Sequence, residues 1–155
     1  MPSIEIDKTD RKILALLQAD GRMTNAELAQ RISLSPSACL RRVQRLEKTA
    51  VISGYVALVR QEAVGRPTSI FVEVTLKSQS EESLKVFERA VRACPDIMEC
   101  YLMSGDADYL IRVVAADTQD YERIHKQHLT RLPGVARIRS SFALRAISKK
   151  TALDI

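Results

Sequence analysis

The chain has 155 residues, 46% of them hydrophobic, a formal net charge of +5 and three cysteines. This length suits one large domain or two small ones. The odd cysteine count without a CxxC pair argues against a disulfide framework and a structural zinc site. No apolar run approaches the ~18 residues of a membrane span, and the N-terminus lacks a signal-peptide core. We therefore expect a cytoplasmic protein without a membrane partner.

Basic residues are concentrated near the N-terminus. Residues 1–60 contain 10 Lys and Arg against 6 Asp and Glu, a net charge of +4, whereas residues 61–155 contain 14 and 13, a net charge of +1. This asymmetry predicts an anionic partner for the N-terminal part alone.

Three helices are predicted before residue 50. Asp7 and Asp10 begin the first, whose buried stripe is Ile13, Leu14 and Leu17, and Gly21 is expected to end it in a left-handed turn. Thr24 and Glu27 form the capping box of the second helix. Ser35 and Pro36 begin the third, as capping hydroxyl and first-turn proline.

The third helix has two different faces at helical spacing. One is apolar: Cys39, Leu40, Val43, Leu46 and Ala50. The other is polar and basic: Ser37, Arg41, Gln44, Arg45 and Lys48. Such a helix suits the DNA major groove, where guanidinium groups pair with guanine edges or phosphates. The alternative is the solvated face of an ordinary surface helix.

The rest of the chain predicts a wing, a linker and a second domain. Residues 51–59 alternate as a short strand or hairpin, the wing, and residues 61–68 with Gly65 and Pro67 form the linker. The domains are thus 1–60 and 69–155. In the second domain, strands are predicted at residues 69–76, 98–105, 108–115 and 135–147. Helices are predicted at residues 81–94 and 118–132, the latter capped by Thr118.

The order βαββαβ predicts a ferredoxin-like, four-stranded antiparallel sheet with both helices on one face. The fold class is therefore α+β, a winged helix-turn-helix followed by this domain. The bare sheet face needs a partner and predicts dimerisation.

Neither catalysis nor a cofactor is predicted. No nucleophile–base pair, P-loop or dinucleotide motif is present, and Cys39 and Cys94 read as small core residues. His125 and His128 have a spacing that can chelate a metal, but no Cys, Asp or Glu motif completes a set, so His128 is interpreted as a core histidine and no metal site is expected.

Four segments resemble the Lrp/AsnC family of bacterial and archaeal transcription regulators, in the right order: IDKTDRKILALLQADGR, LSPSACLRRVQRLEKTAVISGY, SGDADYL and LPGV. The resemblance implies homodimers that assemble into tetramers or octamers on double-stranded promoter DNA, within the nucleoid. It also implies an amino-acid effector at the junction between dimers. On the recognition helix, the resemblance adds Ala38 and Arg42 to the polar and basic face. Base or phosphate contact is expected above all from Arg41 and Arg45. The expected DNA-binding residues, with the capping Ser35, are Ser35, Ser37, Ala38, Arg41, Arg42, Gln44, Arg45 and Lys48.

The resemblance places the effector at Leu102–Leu110, with Asp106 or Asp108 accepting from the ammonium group. Family members often have threonine where this chain has Ile138 and Ser140, so a drier pocket and an apolar or small amino acid are expected: leucine, another branched chain, methionine or alanine. The full set of expected effector residues is Leu102, Ser104, Gly105, Asp106, Asp108, Tyr109, Gly134, Val135 and Ser140.

Two other classes of function remain open at this point. Some haem-biosynthesis decarboxylases resemble the same two-module architecture, but they have no use for the basic stripe from Arg41 to Lys48. An oligomeric amino-acid sensor that does not bind DNA is the other alternative, and its helix-turn-helix should have lost the basic face that this chain retains.

Overall fold

The computed structural model describes residues 5–155 and divides into two compact units. The first unit runs to residue 58 and also includes residues 147–155; the second comprises residues 59–146. The sequence placed residues 147–155 in the second domain. In the structure these residues pack with the first unit, where the Gln18 side chain donates to the Leu153 carbonyl at 3.0 Å and accepts from its N–H at 2.7 Å.

The first unit contains three helices: α1 at Lys8–Ala19, α2 at Asn25–Arg31 and α3 at Pro36–Lys48. Each begins at the residue that the sequence predicted, because Asp7, Thr24 and Ser35 each accept a hydrogen bond from a first-turn N–H. The helices bury one shared core, formed by Ile13, Leu14, Leu28, Ala29, Cys39 and Leu46.

The prediction that Gly21 ends α1 in a left-handed turn is wrong. The helix ends at Ala19, Asp20 is extended with φ −145°, and Gly21 is not among the residues with positive φ. The carboxylate of Asp20 accepts from the N–H of Arg22 at 2.9 Å, so an aspartate turn reverses the chain instead. Positive φ occurs at Ser33, in the turn before α3, and at Ala50 just after α3.

The predicted wing does not form a strand. The Ile52 N–H donates to the Leu46 carbonyl at 3.0 Å, and the Tyr55 hydroxyl donates to Glu47 at 3.0 Å. Beyond Tyr55, Val56 and Leu58 are 83% and 72% exposed. A strand needs a partner for its backbone groups, and the described chain supplies none to this segment.

The second unit has the predicted βαββαβ order. Its elements are β1 at Thr68–Leu76, α4 at Glu81–Ala93, β2 at Ile97–Leu102, β3 at Tyr109–Ala115, α5 at Thr118–Gln127 and β4 at Val135–Phe142. A short 3-10 helix, Glu62–Val64, lies in the predicted linker. The strands form one antiparallel sheet in the order β2-β3-β1-β4, which confirms the predicted fold class.

Three predicted element ends and one predicted N-cap in this unit are wrong. The second strand ends at Leu102 rather than 105, and the last ends at Phe142 rather than 147. The second helix ends at Gln127, followed by a 3-10 helix at Leu129–Arg131. Its N-cap is Asp117, whose carboxylate accepts from the Asp120 N–H at 2.8 Å, and Thr118 is the first helical residue.

Both helices of this unit cover the same face of the sheet. That face is apolar, and its best buried members include Ile70, Val72, Val74, Phe87, Tyr109, Ile111, Val113, Ile124 and Leu129. The opposite face carries Phe71, 39% exposed, and the ion pairs Glu99–Arg112 and Glu73–Arg139. Among residues 5–155, no helix is long and apolar enough to cross a bilayer.

Candidate functional site

The predicted DNA-binding residues lie along α3, on the side away from the core. Arg41, Gln44 and Lys48 are exposed. The hydroxyl of Ser35 accepts from the Ala38 N–H at 3.2 Å and lies 3.3 Å from the hydroxyl of Ser37. The helix therefore presents a capped N-terminus and a polar surface together.

The apolar stripe of α3 is narrower than the sequence suggested. Cys39 and Leu46 are fully buried and Val43 packs beside them. Leu40 is 44% exposed, because it lies about 100° around the helix from Cys39. Ala50 falls outside the helix and is exposed. Both were wrongly predicted to pack on the neighbouring helices.

Two of the predicted DNA-binding arginines already have carboxylate partners. Nη1 of Arg42 lies 2.7 Å from Asp7 and 2.8 Å from Asp10. Nη2 of Arg45 makes a short ion pair with Asp10, whose side chain is fully buried. Arg41 makes no ion pair with any described residue. The basic face thus combines one free guanidinium with two that the start of α1 holds in place.

The acidic partners also begin α1. The side chains of Asp7 and Asp10 accept from each other's backbone N–H, at 2.8 and 3.2 Å, as a reciprocal capping box. The donated N–H of Asp10, with the guanidinium of Arg42, lowers the pKa of Asp7 to about 2. The sequence predicted the cap but not the ion pairs, since no local spacing links α1 to α3.

A shallow groove of about 480 Å³ runs along this surface. Its walls combine apolar and guanidinium groups, which suits a phosphate or the edge of a base. The lining residues are Asp7, Leu34, Ala38, Arg41, Arg42 and Arg45.

Most of the predicted effector residues lie at one end of the sheet. Leu102 pairs with Tyr109 across the β2–β3 connection. The N–H of Asp108 donates to the Val74 carbonyl at 3.0 Å, and the N–H of Lys77 donates to the Gly134 carbonyl at 2.8 Å. The loops at residues 103–108 and 133–134 therefore meet the end of β1, and Ser104, Gly105 and Asp106 are exposed there.

The two aspartates of the loop differ. Asp108 is buried, and its carboxylate accepts from the Leu76 N–H at 2.7 Å and from the Gln79 amide at 2.7 Å. Those contacts fix the loop to the end of β1, so Asp108 is not a free acceptor for an ammonium group. Asp106 is exposed without a hydrogen bond or ion pair to any described residue, and Gly105 beside it has a φ of 145°.

Tyr109 and Ser140 are bonded inside the protomer. The buried Tyr109 hydroxyl donates to Glu88 at 3.0 Å, and burial together with that carboxylate raises its pKa. The Ser140 hydroxyl makes a short hydrogen bond with that of Tyr121. Ser140 pairs with Val72, two residues before Val74, which is the β1 residue that accepts from the loop N–H of Asp108. A single chain therefore does not bring Ser140 to the loop.

A cavity of about 350 Å³ lies between α4 and the edge strand β2. It includes two of the predicted effector residues, Leu102 and Tyr109, and also the ion pair Glu88–Arg92. Burial raises the pKa of Cys100 at its wall to about 11, which keeps that thiol protonated. Glu88 and Arg92 were not predicted, because an i,i+4 ion pair is ordinary on any helix surface.

Comparisons with known proteins cover both units. Residues 6–47 match the AsnC-type helix-turn-helix domain, and residues 69–153 match the Lrp/AsnC ligand binding domain. The Bkd operon transcriptional regulator of Pseudomonas aeruginosa is 42% identical over 148 residues, covering 96% of this chain and 97% of that protein. The leucine-responsive regulatory protein of Escherichia coli is 38% identical over 154 residues, covering 99% and 94%.

Two solved structures are similar over nearly the whole chain. A transcriptional regulator of Neisseria meningitidis, in complex with L-methionine, has a TM-score of 0.90 and 35% identity and covers 97% of both chains. An AsnC family regulator of Agrobacterium tumefaciens has a TM-score of 0.90 and 38% identity and covers 96% of both. These relatives are transcriptional regulators, which removes the decarboxylase alternative and leaves no reason to assign an enzyme activity.

The two domain matches follow one another in the order of the two units, and the relatives at 38–42% identity share the entire length. The basic helix and the ligand-binding fold thus occur in one chain. The protein therefore belongs to the Lrp/AsnC family and is a transcriptional regulator with an AsnC-type helix-turn-helix domain and a ligand-binding domain.

Proposed function

We propose that this protein binds specific double-stranded DNA sites through α3, and that an apolar amino acid bound to its second domain changes its DNA binding or its assembly. The observation that carries the proposal is the exposed face of α3. There the side chains of Arg41, Gln44 and Lys48 are exposed and make no hydrogen bond or ion pair with other described residues. Their donors are thus available to base edges and phosphates.

The DNA-binding domain is residues 1–60, joined by residues 61–68 to the effector domain. The effector domain spans residues 69–155 of the sequence, and its last nine residues pack with the first unit. A symmetric dimer presents two copies of α3, so its site is a pseudo-palindrome with half-sites about one helical turn apart. Arg42 and Arg45 reach the phosphates or bases from positions set by Asp10. The proposed DNA contacts are Ser35, Ser37, Ala38, Arg41, Arg42, Gln44, Arg45 and Lys48.

The effector is proposed to lie against the loop at the end of the sheet. The ammonium group is accepted by Asp106, and the backbone near Gly105 approaches the carboxylate. The loop is open in a single chain, so a second copy covers the ligand and completes the site. The proposed residues are Leu102, Ser104, Gly105, Asp106, Asp108, Tyr109, Gly134, Val135 and Ser140, with Asp108 and Tyr109 holding the loop in shape.

Both the relatives and the structure support an apolar amino acid as the effector. The Neisseria relative is in complex with L-methionine, and relatives at 38% identity are leucine-responsive. The nearby Ile138 packs on the apolar core, and the Ser140 hydroxyl is bonded to Tyr121. Neither side chain then offers a hydroxyl to a polar effector.

We further propose that the protein forms homodimers that assemble into tetramers or octamers on nucleoid DNA. Support comes from the exposed segment that includes Val56 and Leu58 and from the sheet face that no helix of its unit covers. Both surfaces would be buried between copies of the chain.

A thermal-shift panel of the twenty amino acids on dialysed protein tests the effector. A ligand at about 100 times its Kd adds roughly 2.7 kcal/mol, which raises the Tm by several degrees. We expect hits among leucine, isoleucine, valine, methionine and alanine. Asp106→Asn should remove the shift and the matched Asp20→Asn should keep it. A panel in which only arginine or asparagine raises the Tm would contradict the proposed effector class.

A further inference from the structure

We propose that Cys94, Asp96 and His128 bind a zinc-class metal ion in the second unit, apart from the effector loop. The three side chains come from the turn after α4 and the end of α5. Their donor atoms, a thiol sulfur, a carboxylate oxygen and an imidazole nitrogen, all lie within 4.8 Å of one another. Thiolate sulfur, imidazole nitrogen and carboxylate oxygen are the three kinds of side-chain ligand that bind zinc in proteins.

The distances are close to those of a bound ion. Nε2 of His128 lies 3.5 Å from Oδ2 of Asp96. In a tetrahedral zinc site with bonds of about 2.0–2.3 Å, neighbouring donors are about 3.3–3.8 Å apart. The distance between the imidazole nitrogen and the carboxylate oxygen is therefore already right for a shared metal ion. The sulfur of Cys94 needs to move toward these two atoms by about 1 Å at most.

Burial leaves one side of the cluster open. Cys94 and Asp96 are buried, at 8% and 6% exposure, whereas the His128 side chain is 32% exposed. A metal held by these three residues has a path from solvent and a position for a water as fourth ligand.

The surrounding charges leave one carboxylate oxygen for the metal. Nη1 of Arg66 lies 3.1 Å from Oδ1 of Asp96, which leaves Oδ2 facing His128. Metal-binding carboxylates are usually hydrogen-bonded in this way through their other oxygen. Arg123 is 4.0 Å from Oδ2 but bonds Asp120 at 2.7 Å, so its charge is already compensated.

Ion pairing alone does not account for the whole cluster. Asp96 can pair with Arg66 and His128 without a metal, but that network has no role for the sulfur of Cys94. Thiolate, carboxylate and neutral imidazole together balance a divalent cation. A soft thiolate with an imidazole selects zinc, cobalt or nickel over magnesium or calcium.

The site was invisible in the sequence. His128 was interpreted as a core residue beside His125, and Cys94 as a small apolar one. Only the fold brings the turn after α4 against the end of α5. A bound ion would cross-link these elements and stabilise the second unit.

Isothermal titration of the reduced, chelator-treated full-length protein with zinc chloride tests the proposal. We expect one zinc per chain, with an affinity that excess magnesium does not change. Cobalt should give a thiolate charge-transfer band in the near ultraviolet. A wild-type protein that binds no zinc, or binds cobalt without that band, would overturn the proposal.

Variants locate the site. Cys94→Ser and His128→Gln should weaken zinc binding by more than the ~10–100-fold that loss of a supporting hydrogen bond costs. Cys100→Ser on β2 and His125→Gln on α5 are matched controls of the same residue types and should bind like the wild type. Circular dichroism checks that each variant folds. Equal affinity in all four variants would place the metal elsewhere.

Discussion

At the scale of single residues, the main feature is the double use of Asp7 and Asp10. They cap α1 and also hold Arg42 and Arg45 of α3. A buried carboxylate between two guanidinium groups restricts their rotamers, so less side-chain entropy is lost when DNA binds. The recognition face therefore has tethered arginines beside the untethered Arg41.

This difference predicts separable effects on binding and stability. Arg41→Ala should weaken specific DNA binding by roughly 1–3 kcal/mol if it contacts a base, with no loss of folding stability. Arg42→Ala should lower the free energy of unfolding, because it leaves the buried Asp10 with fewer partners. Fluorescence anisotropy and urea unfolding measure the two, with Arg89→Ala in the second unit as control. Equal loss by Arg41→Ala on specific and random DNA would instead make it a phosphate contact.

The lowered pKa of Asp7 predicts a dependence of stability on acid. Its ordinary value of 3.8 falls to about 2 in the folded chain, so its charge stabilises the fold above about pH 4. That contribution is lost as the pH falls from about 4 through about 2. In acid unfolding followed by circular dichroism, Asp7→Asn should flatten this part of the curve, whereas Asp20→Asn should not. Identical curves for wild type and Asp7→Asn would contradict the assignment.

At the scale of elements, helix starts and the sheet alternation could be read from the sequence. Asp7, Thr24 and Ser35 cap the helices that they precede, and β1 alternates as expected. These features are predictable because each depends on contacts between near neighbours. Local hydrogen bonding and side-chain periodicity are visible in the order of residues alone.

The errors arose where distant partners decide the structure. Gly21 is the exception, because a local hydrogen bond from the Arg22 N–H to the Asp20 carboxylate closes that turn. The alternation of residues 51–59 predicts a strand, yet a strand forms only beside another strand. The hydrogen bonds of Asp108 could not be predicted for the same reason, since its partners lie on β1 and in the following turn.

Capping of α3 by Ser35 gives a prediction at this scale. Ser35→Ala removes the acceptor for the Ala38 N–H and should cost about 1 kcal/mol of unfolding free energy. Ser35→Asn keeps a capping acceptor and should stay close to the wild type. Urea unfolding measures both, and an alanine variant as stable as the asparagine variant would show that the cap contributes nothing.

At the scale of the whole molecule, the exposed apolar surfaces of the second unit favour assembly. Phe71 and Leu110 lie on the sheet face away from α4 and α5, beside the Glu99–Arg112 ion pair. Ion pairs on a partly apolar sheet face suit a specific, self-complementary contact between copies.

A charge on this face should break the assembly. Phe71→Asp is expected to lower the mass measured by light scattering toward that of a monomer. Leu144→Asp is the control, because Leu144 is 98% exposed beyond the end of β4. If both variants keep the wild-type mass, the copies associate through another surface.

The central claim is that the effector domain controls DNA binding. The most direct test uses a DNA duplex that the protein has selected from a random pool. The duplex is titrated with the protein and its fluorescence anisotropy is followed, with and without the amino acid that most raises the Tm. Coupling of about 1–3 kcal/mol changes the apparent Kd by roughly 5–150-fold, and Asp106→Asn should abolish the change. A binding curve with the same midpoint and steepness with and without the amino acid would contradict the account.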